Sequence, residues 1–221
     1  MKLNTLARVL LLAGCAAAAS ASATTQTVSS ASNVIVSHDT DWADFLNFQK
    51  FNTALGTLTS VKFDLYADVA GSVTLTNYSG DVAAIPVSLG VDVWLRRPDA
   101  TTLAMLSVPL LNQSVNLADG DSTTLSNHLH ASTSSVFSNA SDLALFSGAG
   151  SVATLISANA NSDVGGDGID AQFATMAGGH GTVTYSYIAA VPEPETYAML
   201  LLGIGVIGFT AKRRQARDAR A

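Results

Sequence analysis

Two histidines separated by one residue, His128 and His130 in the segment NHLH, have a spacing that could bind a metal ion. In an extended chain, side chains two positions apart point to the same side, and a pair of imidazoles is an acceptable part of a transition-metal site. The surrounding segment, DGDSTTLSNHLHASTSS, is rich in serine and threonine and specifies no third ligand. A solvated pair in a loop is therefore the favoured interpretation, with the metal pair as the alternative.

Three aspartates among glycines, in the segment NSDVGGDGIDAQ, could supply oxygen ligands to Ca²⁺; they are Asp163, Asp167 and Asp170. Compared with an EF-hand loop that starts at Asp163, Gly165 replaces the ligand of the third position and Ala174 replaces the bidentate glutamate. A solvated turn is the favoured interpretation. Calcium is the ion to expect if the segment binds one.

Two tryptophans beside carboxylates could form a sugar-binding platform. Trp42 lies in HDTDWADF, and Trp94 falls on the polar side of the alternating segment VDVWLR. An exposed indole ring stacks on a sugar while neighbouring acids accept its hydrogen bonds. The competing interpretation, which we favour, is that Trp94 covers the second face of a β-sandwich or packs at its edge.

The sequence offers little to support catalysis. Neither GxSxG nor HExxH occurs in it. Two aspartates could act as the acid and nucleophile of a glycosidase, but the segment 24–190 contains fourteen aspartates, so a suitable pair carries little weight. We predict no catalytic residues and no cofactor, apart from the calcium alternative.

Alternating polarity predicts the elements that position these side chains. In SVKFDLYADV and IPVSLGVDVWLR every second residue is apolar, the pattern of half-buried antiparallel strands. Further short strand-like segments at similar spacing predict an all-β fold, an antiparallel β-sandwich of the jelly-roll type. We expect Ala70-Gly71 to turn the chain after the first segment, a helical turn near 142–146, and an edge or bulge at Pro86.

The composition of residues 24–190 limits the partners of this domain. The segment has no cysteine and no glutamate, and its cations are Lys50, Lys62, Arg96 and Arg97. Disulfides are therefore excluded, and the acidic balance makes nucleic acid and anionic membrane surfaces poor partners.

Three segments of this domain are similar to blocks of a known family: FNTALGTLTSVKFDLYADVAGSVTLTNYS, LALFSGAGSVATLISA and GTVTYSYI. They resemble the choice-of-anchor E domain, which occurs in exported proteins that carry alternative surface anchors. The resemblance spans nearly the whole segment 24–190. It carries over no catalytic residues.

The C-terminal segment contains GIGVIG, which has the GxGxxG spacing of a dinucleotide-binding turn. Its glycines lie inside the apolar run 197–211, and a basic cluster follows with too little chain for a second strand; the cluster is Lys212, Arg213 and Arg214. A single membrane helix with a basic cytoplasmic tail is the better interpretation.

Two prolines precede this apolar run, in the sequence Pro192-Glu193-Pro194. The order of PEP, apolar helix and basic tail resembles the C-terminal sorting signal of PEP-CTERM proteins, the substrates of exosortases in Gram-negative bacteria. The resemblance implies export, an inner-membrane intermediate, processing near the PEP motif, and delivery to the cell surface or an extracellular polymer.

The N-terminus has the pattern of a secretory signal peptide. A positively charged start and the apolar stretch 9–19 precede the AxA motif at Ala21 and Ala23, so signal peptidase would leave Thr24 as the first residue. The segment LAGC ending at Cys15 is similar to a lipobox. The apolar stretch before that cysteine is too short for a signal peptide, which favours cleavage at Thr24.

Together these patterns divide the chain into a signal peptide (1–23), a β-sandwich domain (24–190) and a sorting signal (191–221). The predicted function is a structural or adhesive, non-catalytic role at the cell surface or in the extracellular matrix. The alternative is an exopolysaccharide-binding module that uses Trp42 or Trp94, with or without Ca²⁺, and the third hypothesis is a secreted hydrolase. The predicted processing partners are signal peptidase and exosortase.

Overall fold

The computed structural model of the chain describes residues 24–190 and 202–208. In the first range, nine strands are joined by short turns, one 3₁₀ turn (Thr53–Leu55) and one helix, α1 (Ala140–Leu145). The strands are β1 (Thr25–Ala31), β2 (Ile35–Asp39), β3 (Trp42–Gln49), β4 (Gly56–Asn77), β5 (Ala83–Arg96), β6 (Thr102–Leu117), β7 (Ser122–Phe137), β8 (Ser151–Val164) and β9 (Ile169–Ala189).

These strands form two sheets. In sheet A the order is β1-β9-β4-β7, with β2 also paired to β9, and in sheet B it is β3-β8-β5-β6. The strand pairs with a resolved register are all antiparallel. The prediction of an all-β, sandwich-like antiparallel fold is therefore confirmed. The compact unit spans Thr25–Ile188.

The alternating side chains supply the core. In β4 the residues from Val61 to Val69 are buried at every second position, and β5 repeats this pattern from Ile85 to Leu95. Side chains of both sheets belong to one apolar cluster, in which Phe63 meets Phe146 edge to face at 4.9 Å. Burial of this apolar surface is the main stabilising contribution in a domain without disulfides.

The turn expected at Ala70-Gly71 is wrong. β4 continues through these residues and pairs with β7 from Val61 opposite Phe137 to Thr76 opposite Ser122. A Cβ atom at Gly71 would lie 2.7 Å from Leu110 Cδ1. The glycine therefore leaves room for a leucine side chain of sheet B and does not change the direction of the strand.

The loop expected around the histidine pair is also wrong, because His128 and His130 lie in the middle of β7. Leu129 and Ala131 pack against the core, so the two histidines point to solvent. The helical turn predicted near 142–146 is confirmed by α1, whose N-terminus is capped by the side chain of Asn139.

The predicted signal peptide lies outside the described residues, as do the PEP motif and the basic tail. Of the predicted membrane segment, the structure describes 202–208, which is helical and exposed. Among the described residues, no helix has the length and apolar character needed to cross a membrane. The C-terminal membrane helix stays a prediction.

Candidate functional site

The outer face of sheet A brings three metal-ligating side chains together. Asp68 of β4 lies directly opposite His130 of β7, and His128 is two residues further along the same face. A ligand atom from each of Asp68, His128 and His130 lies within 4.8 Å of the others. The sequence predicted the two histidines as a pair, and the structure adds the carboxylate.

The contacts within this triad are polar and solvent-accessible. Asp68 Oδ1 is hydrogen-bonded to Nε2 of His128 and lies 3.6 Å from Nδ1 of His130. The two imidazole rings meet edge to face, with 4.8 Å between the ring centroids. The side chains are about half exposed for Asp68 and His128 and 77% exposed for His130, so solvent and ions reach all three.

Neighbouring polar groups on the same face have partners of their own. Asp64 accepts hydrogen bonds from Lys62 and Ser134, and these bonds hold the pKa of its carboxyl group below the usual value. The ring of Tyr66 stacks on His180 of β9 at 5.0 Å. The triad is thus flanked by side chains that are already engaged with each other.

An open groove of about 660 Å³ lies next to the triad. The small residues Ala70, Gly71 and Ser72 of β4 line it, together with side chains of β7 and β9 that include His128 and Met176. Because the β4 residues are small, the face is indented between the two neighbouring strands. His128 belongs both to the triad and to the groove.

The outer face of sheet B carries Trp94. The guanidinium of Arg96 lies over its indole ring at 4.8 Å, a cation–π contact. Two residues earlier, Asp92 accepts a hydrogen bond of 3.2 Å from Asn161. A second open groove, of about 540 Å³, is lined by Asp92, Asn161 and residues of β6. Trp94 is partly buried and keeps its place on the outer side of the sheet, as its register predicted.

Trp42 is in a different environment. Its ring packs against the core and stacks on His38 at 5.0 Å, and its Nε1 donates a hydrogen bond of 3.2 Å to the carbonyl of Ala177. One ring face and the polar atom of this tryptophan are therefore occupied within the domain. This arrangement favours a structural role for Trp42.

The aspartates proposed for Ca²⁺ lie around the β8–β9 turn. Asp163 is in β8, Asp167 in the turn and Asp170 in β9, and all three are exposed. In the part of the chain that the structure describes, they do not form a group of ligand atoms as close as that of the triad. Calcium binding at these residues stays a prediction.

Residues 190–214 match the PEP-CTERM protein-sorting motif. The match includes all three segments of the predicted sorting signal: the PEP sequence, the apolar run 197–211 and the basic residues from Lys212 to Arg214. The motif implies that the protein is exported, is processed by exosortase and is sorted to the cell surface.

Comparison with solved structures gives only distant similarity. The VP2 subviral particle of infectious bursal disease virus is 11% identical with a TM-score of 0.22, and the match covers 76% of this chain and 38% of that one. The CBM22-1 xylan-binding domain of Paenibacillus barcinonensis Xyn10C is 11% identical with a TM-score of 0.15, covering 72% of this chain and 97% of that domain. These scores support no functional argument. No curated protein matches the chain.

Proposed function

We propose that the protein is a component of the cell surface or extracellular matrix with a structural or adhesive, non-catalytic role. The observation that carries the proposal is the sorting motif at 190–214, which follows an antiparallel β-domain. In this proposal the domain is of the jelly-roll type and related to choice-of-anchor E domains. It passes through an inner-membrane intermediate and is released near Pro192-Glu193-Pro194.

The polar faces of the sheets suit contact with a hydrated polymer. On sheet A, hydroxyl groups pair across neighbouring strands; examples are Ser29 with Thr184 at 2.8 Å, Thr74 with Thr124 at 2.9 Å, and Thr76 with Ser122 at 2.7 Å. Such groups can exchange hydrogen bonds with sugar hydroxyls or water at little cost. The two grooves described above are open surfaces, as expected for contact with an extended partner.

The role is tested by attachment of the native host to its matrix. Three strains are compared: wild type, a deletion of the chain, and a variant in which Pro192, Glu193 and Pro194 are replaced by alanine. We expect the deletion to reduce matrix-attached biomass. The alanine variant should give the same loss while the domain accumulates in membranes. Unchanged attachment in the deletion strain would refute the adhesive role.

Binding of exopolysaccharide through Trp94 is the second candidate. It is supported by the indole ring, the Asp92 carboxylate and the Asn161 amide, which share the outer face of sheet B. Fragments of the matrix polymer should change tryptophan fluorescence in the wild type and in Trp42→Phe. They should leave Trp94→Ala unaffected. An absence of change with every fragment, with and without added Ca²⁺, would remove this candidate.

The secreted hydrolase remains a third hypothesis. Its test is the appearance of new reducing ends when the protein is incubated with the same polymer fragments. A rate equal to that of buffer alone would remove it.

A further inference from the structure

We propose that Asp68, His128 and His130 form a binding site for one divalent late-transition-metal ion, of which Zn²⁺ is the simplest representative. The site is independent of the adhesive role proposed above. It rests on three ligand groups that two paired strands bring together.

The donor set selects the class of metal. Two imidazole nitrogens and one carboxylate oxygen suit Zn²⁺, Cu²⁺ or Ni²⁺, whereas Ca²⁺ and Mg²⁺ prefer sites made of oxygen atoms. Zinc sites with three protein ligands keep a further position for water or another donor. Since all three side chains reach solvent, water can fill that position.

The distances are close to those that a metal ion requires. In a tetrahedral zinc site with bonds of about 2.0–2.1 Å, ligand atoms lie about 3.3–3.4 Å apart. Asp68 Oδ1 and His130 Nδ1 are separated by 3.6 Å, and no pair in the triad exceeds 4.8 Å. Rotation about exposed side-chain bonds covers the remaining difference of at most about 1.5 Å without moving the backbone.

The backbone beneath the triad holds the ligands in register. β4 and β7 pair without a register shift from Val61 opposite Phe137 to Thr76 opposite Ser122. A one-residue slip of β7 would carry both histidines together to the inner face, and the packing of Leu129 and Ala131 against the core opposes such a slip. The backbone positions of the three ligands are therefore fixed on folding, before an ion binds, and only side-chain rotation remains to be ordered by the ion.

The site also borders the groove on sheet A, because His128 lines both. An ion at the triad would place a positive charge beside this groove. The carboxylate of Asp39 also lines the groove. This location distinguishes the triad from an isolated surface histidine.

Metal binding by the full chain provides the test. The protein carries Cys15→Ser to remove its one thiol, has no polyhistidine tag, and is purified in detergent and stripped with a chelator. Equilibrium dialysis against Zn²⁺ should give one ion per chain. Co²⁺ should produce a visible absorption spectrum that Zn²⁺ abolishes.

The matched variants are Asp68→Asn, His128→Asn and His130→Asn, with His180→Asn as the control on the same face. Each ligand variant should lower the Zn²⁺ affinity at least about tenfold, since even outer-shell changes cost 10–100-fold. His180→Asn should bind as the wild type does, because its ring stacks on Tyr66 and does not belong to the group of ligand atoms. Far-UV circular dichroism of the metal-free variants checks that each one folds.

Histidine modification gives a readout that needs no variant. Zn²⁺ should protect His128 and His130 of the wild type from diethylpyrocarbonate, while His180 reacts at the same rate with and without the ion. The proposal is overturned if the wild type binds no Zn²⁺ or if the double variant of His128 and His130 retains wild-type affinity. Equal protection of all histidines would also overturn it.

Discussion

The hydroxyl of Tyr185 is a polar group held inside the apolar core. The residue is only 2% exposed, and its Oη donates a hydrogen bond of 2.7 Å to the carbonyl of Gln49. Burial raises the pKa of this phenol, because the phenolate would lose its hydration. The neutral form is therefore the one compatible with the fold.

The raised pKa of Tyr185 makes the stability of the folded domain decrease at alkaline pH. In the unfolded chain a tyrosine ionises at about pH 10, so the stabilisation is complete below that pH and declines as the pH rises further. We expect the free energy of unfolding to fall by up to about 1.4 kcal/mol per pH unit from this group alone. Urea unfolding from pH 8 to 11 measures the slope.

Two variants separate Tyr185 from other causes of alkaline unfolding. Tyr185→Phe should cost about 1 kcal/mol at neutral pH through the lost hydrogen bond, and should flatten the decline above pH 10. Tyr78→Phe, at a ring that is 68% exposed, is expected to leave the curve unchanged. An equal slope in Tyr185→Phe and wild type would contradict the assignment.

A buried ion pair joins the end of β5 to α1. Asp142 is 2% exposed and is bound by Nη1 of Arg97 and by the side-chain amide of Asn139. Replacing Asp142 by asparagine leaves the guanidinium without its buried partner, and we expect a loss of about 3 kcal/mol in urea unfolding. Asp99→Asn is the control, because this carboxylate is exposed and lies 3.6 Å from Arg97 Nε. Similar losses in both variants would show that burial of the pair is unimportant.

Strand β4 shows how far alternating polarity predicts a secondary-structure element. Alternation predicted the buried residues from Val61 to Val69, and burial continues with the same parity at Val73 and Leu75. A turn normally shifts this phase, so the unbroken parity was the available signal that Ala70 and Gly71 belong to one strand. Small residues alone do not predict a turn, because at Gly71 the small residue serves close packing.

The sequence predicts an edge or a bulge at Pro86, and the pairing of β5 explains how the proline is tolerated. β5 lies inside sheet B, but its pairing with β8 begins at Val87 opposite Val164, one residue after the proline. Pro86 thus sits just beyond the end of the β5–β8 ladder, where its missing N–H breaks no ladder bond to β8, and its carbonyl accepts a bond from Gly165. Sequence periodicity can locate a strand, whereas its neighbours depend on contacts distant along the chain.

The same limit applies to the candidate site. The spacing of His128 and His130 was readable from the sequence, but Asp68 is sixty residues away from His128. Only the register of β4 against β7 places it opposite His130. Fourteen aspartates in the domain offered no means of choosing it beforehand.

Two glycines test how tightly the elements of the sandwich approach one another. A Cβ atom at Gly178 of β9 would lie 2.6 Å from the backbone nitrogen of Ser37 in β2, which cannot move without separating the strands. At Gly71 the obstacles are the ends of leucine side chains, which can rotate. We expect Gly178→Ala to cost about 2 kcal/mol and Gly71→Ala at most about 1 kcal/mol.

Urea unfolding measures both losses, and hydrogen exchange locates them. In Gly178→Ala, the amides of β2 should exchange faster than in wild type, because the clash acts on the β2–β9 pair. Gly71→Ala serves as the matched substitution in the same sheet. A larger loss in Gly71→Ala than in Gly178→Ala would mean that the leucines are the more rigid obstacle.

The sorting motif and the β-domain occupy separate segments of the chain, so the domain does not need the motif in order to fold. The domain contains no cysteine, and its core joins both sheets, so it can fold after export without disulfide formation. The motif at 190–214 follows directly after β9. Cleavage near the PEP sequence would leave every strand of the domain in the released product.

This arrangement predicts the termini of the mature protein. In the extracellular fraction of the native host, intact mass and terminal peptides should show a chain that starts at Thr24 and ends between Pro192 and Pro194. Replacing Pro192 and Pro194 by alanine should abolish processing, since proline favours an extended chain in general, and the uncleaved chain should stay with the membranes. The alanine variant Pro98→Ala, in the β5–β6 turn, controls for loss of a proline. A wild-type chain that extends to Ala221 and occurs only in membranes would establish a permanent anchor and refute processing at this motif.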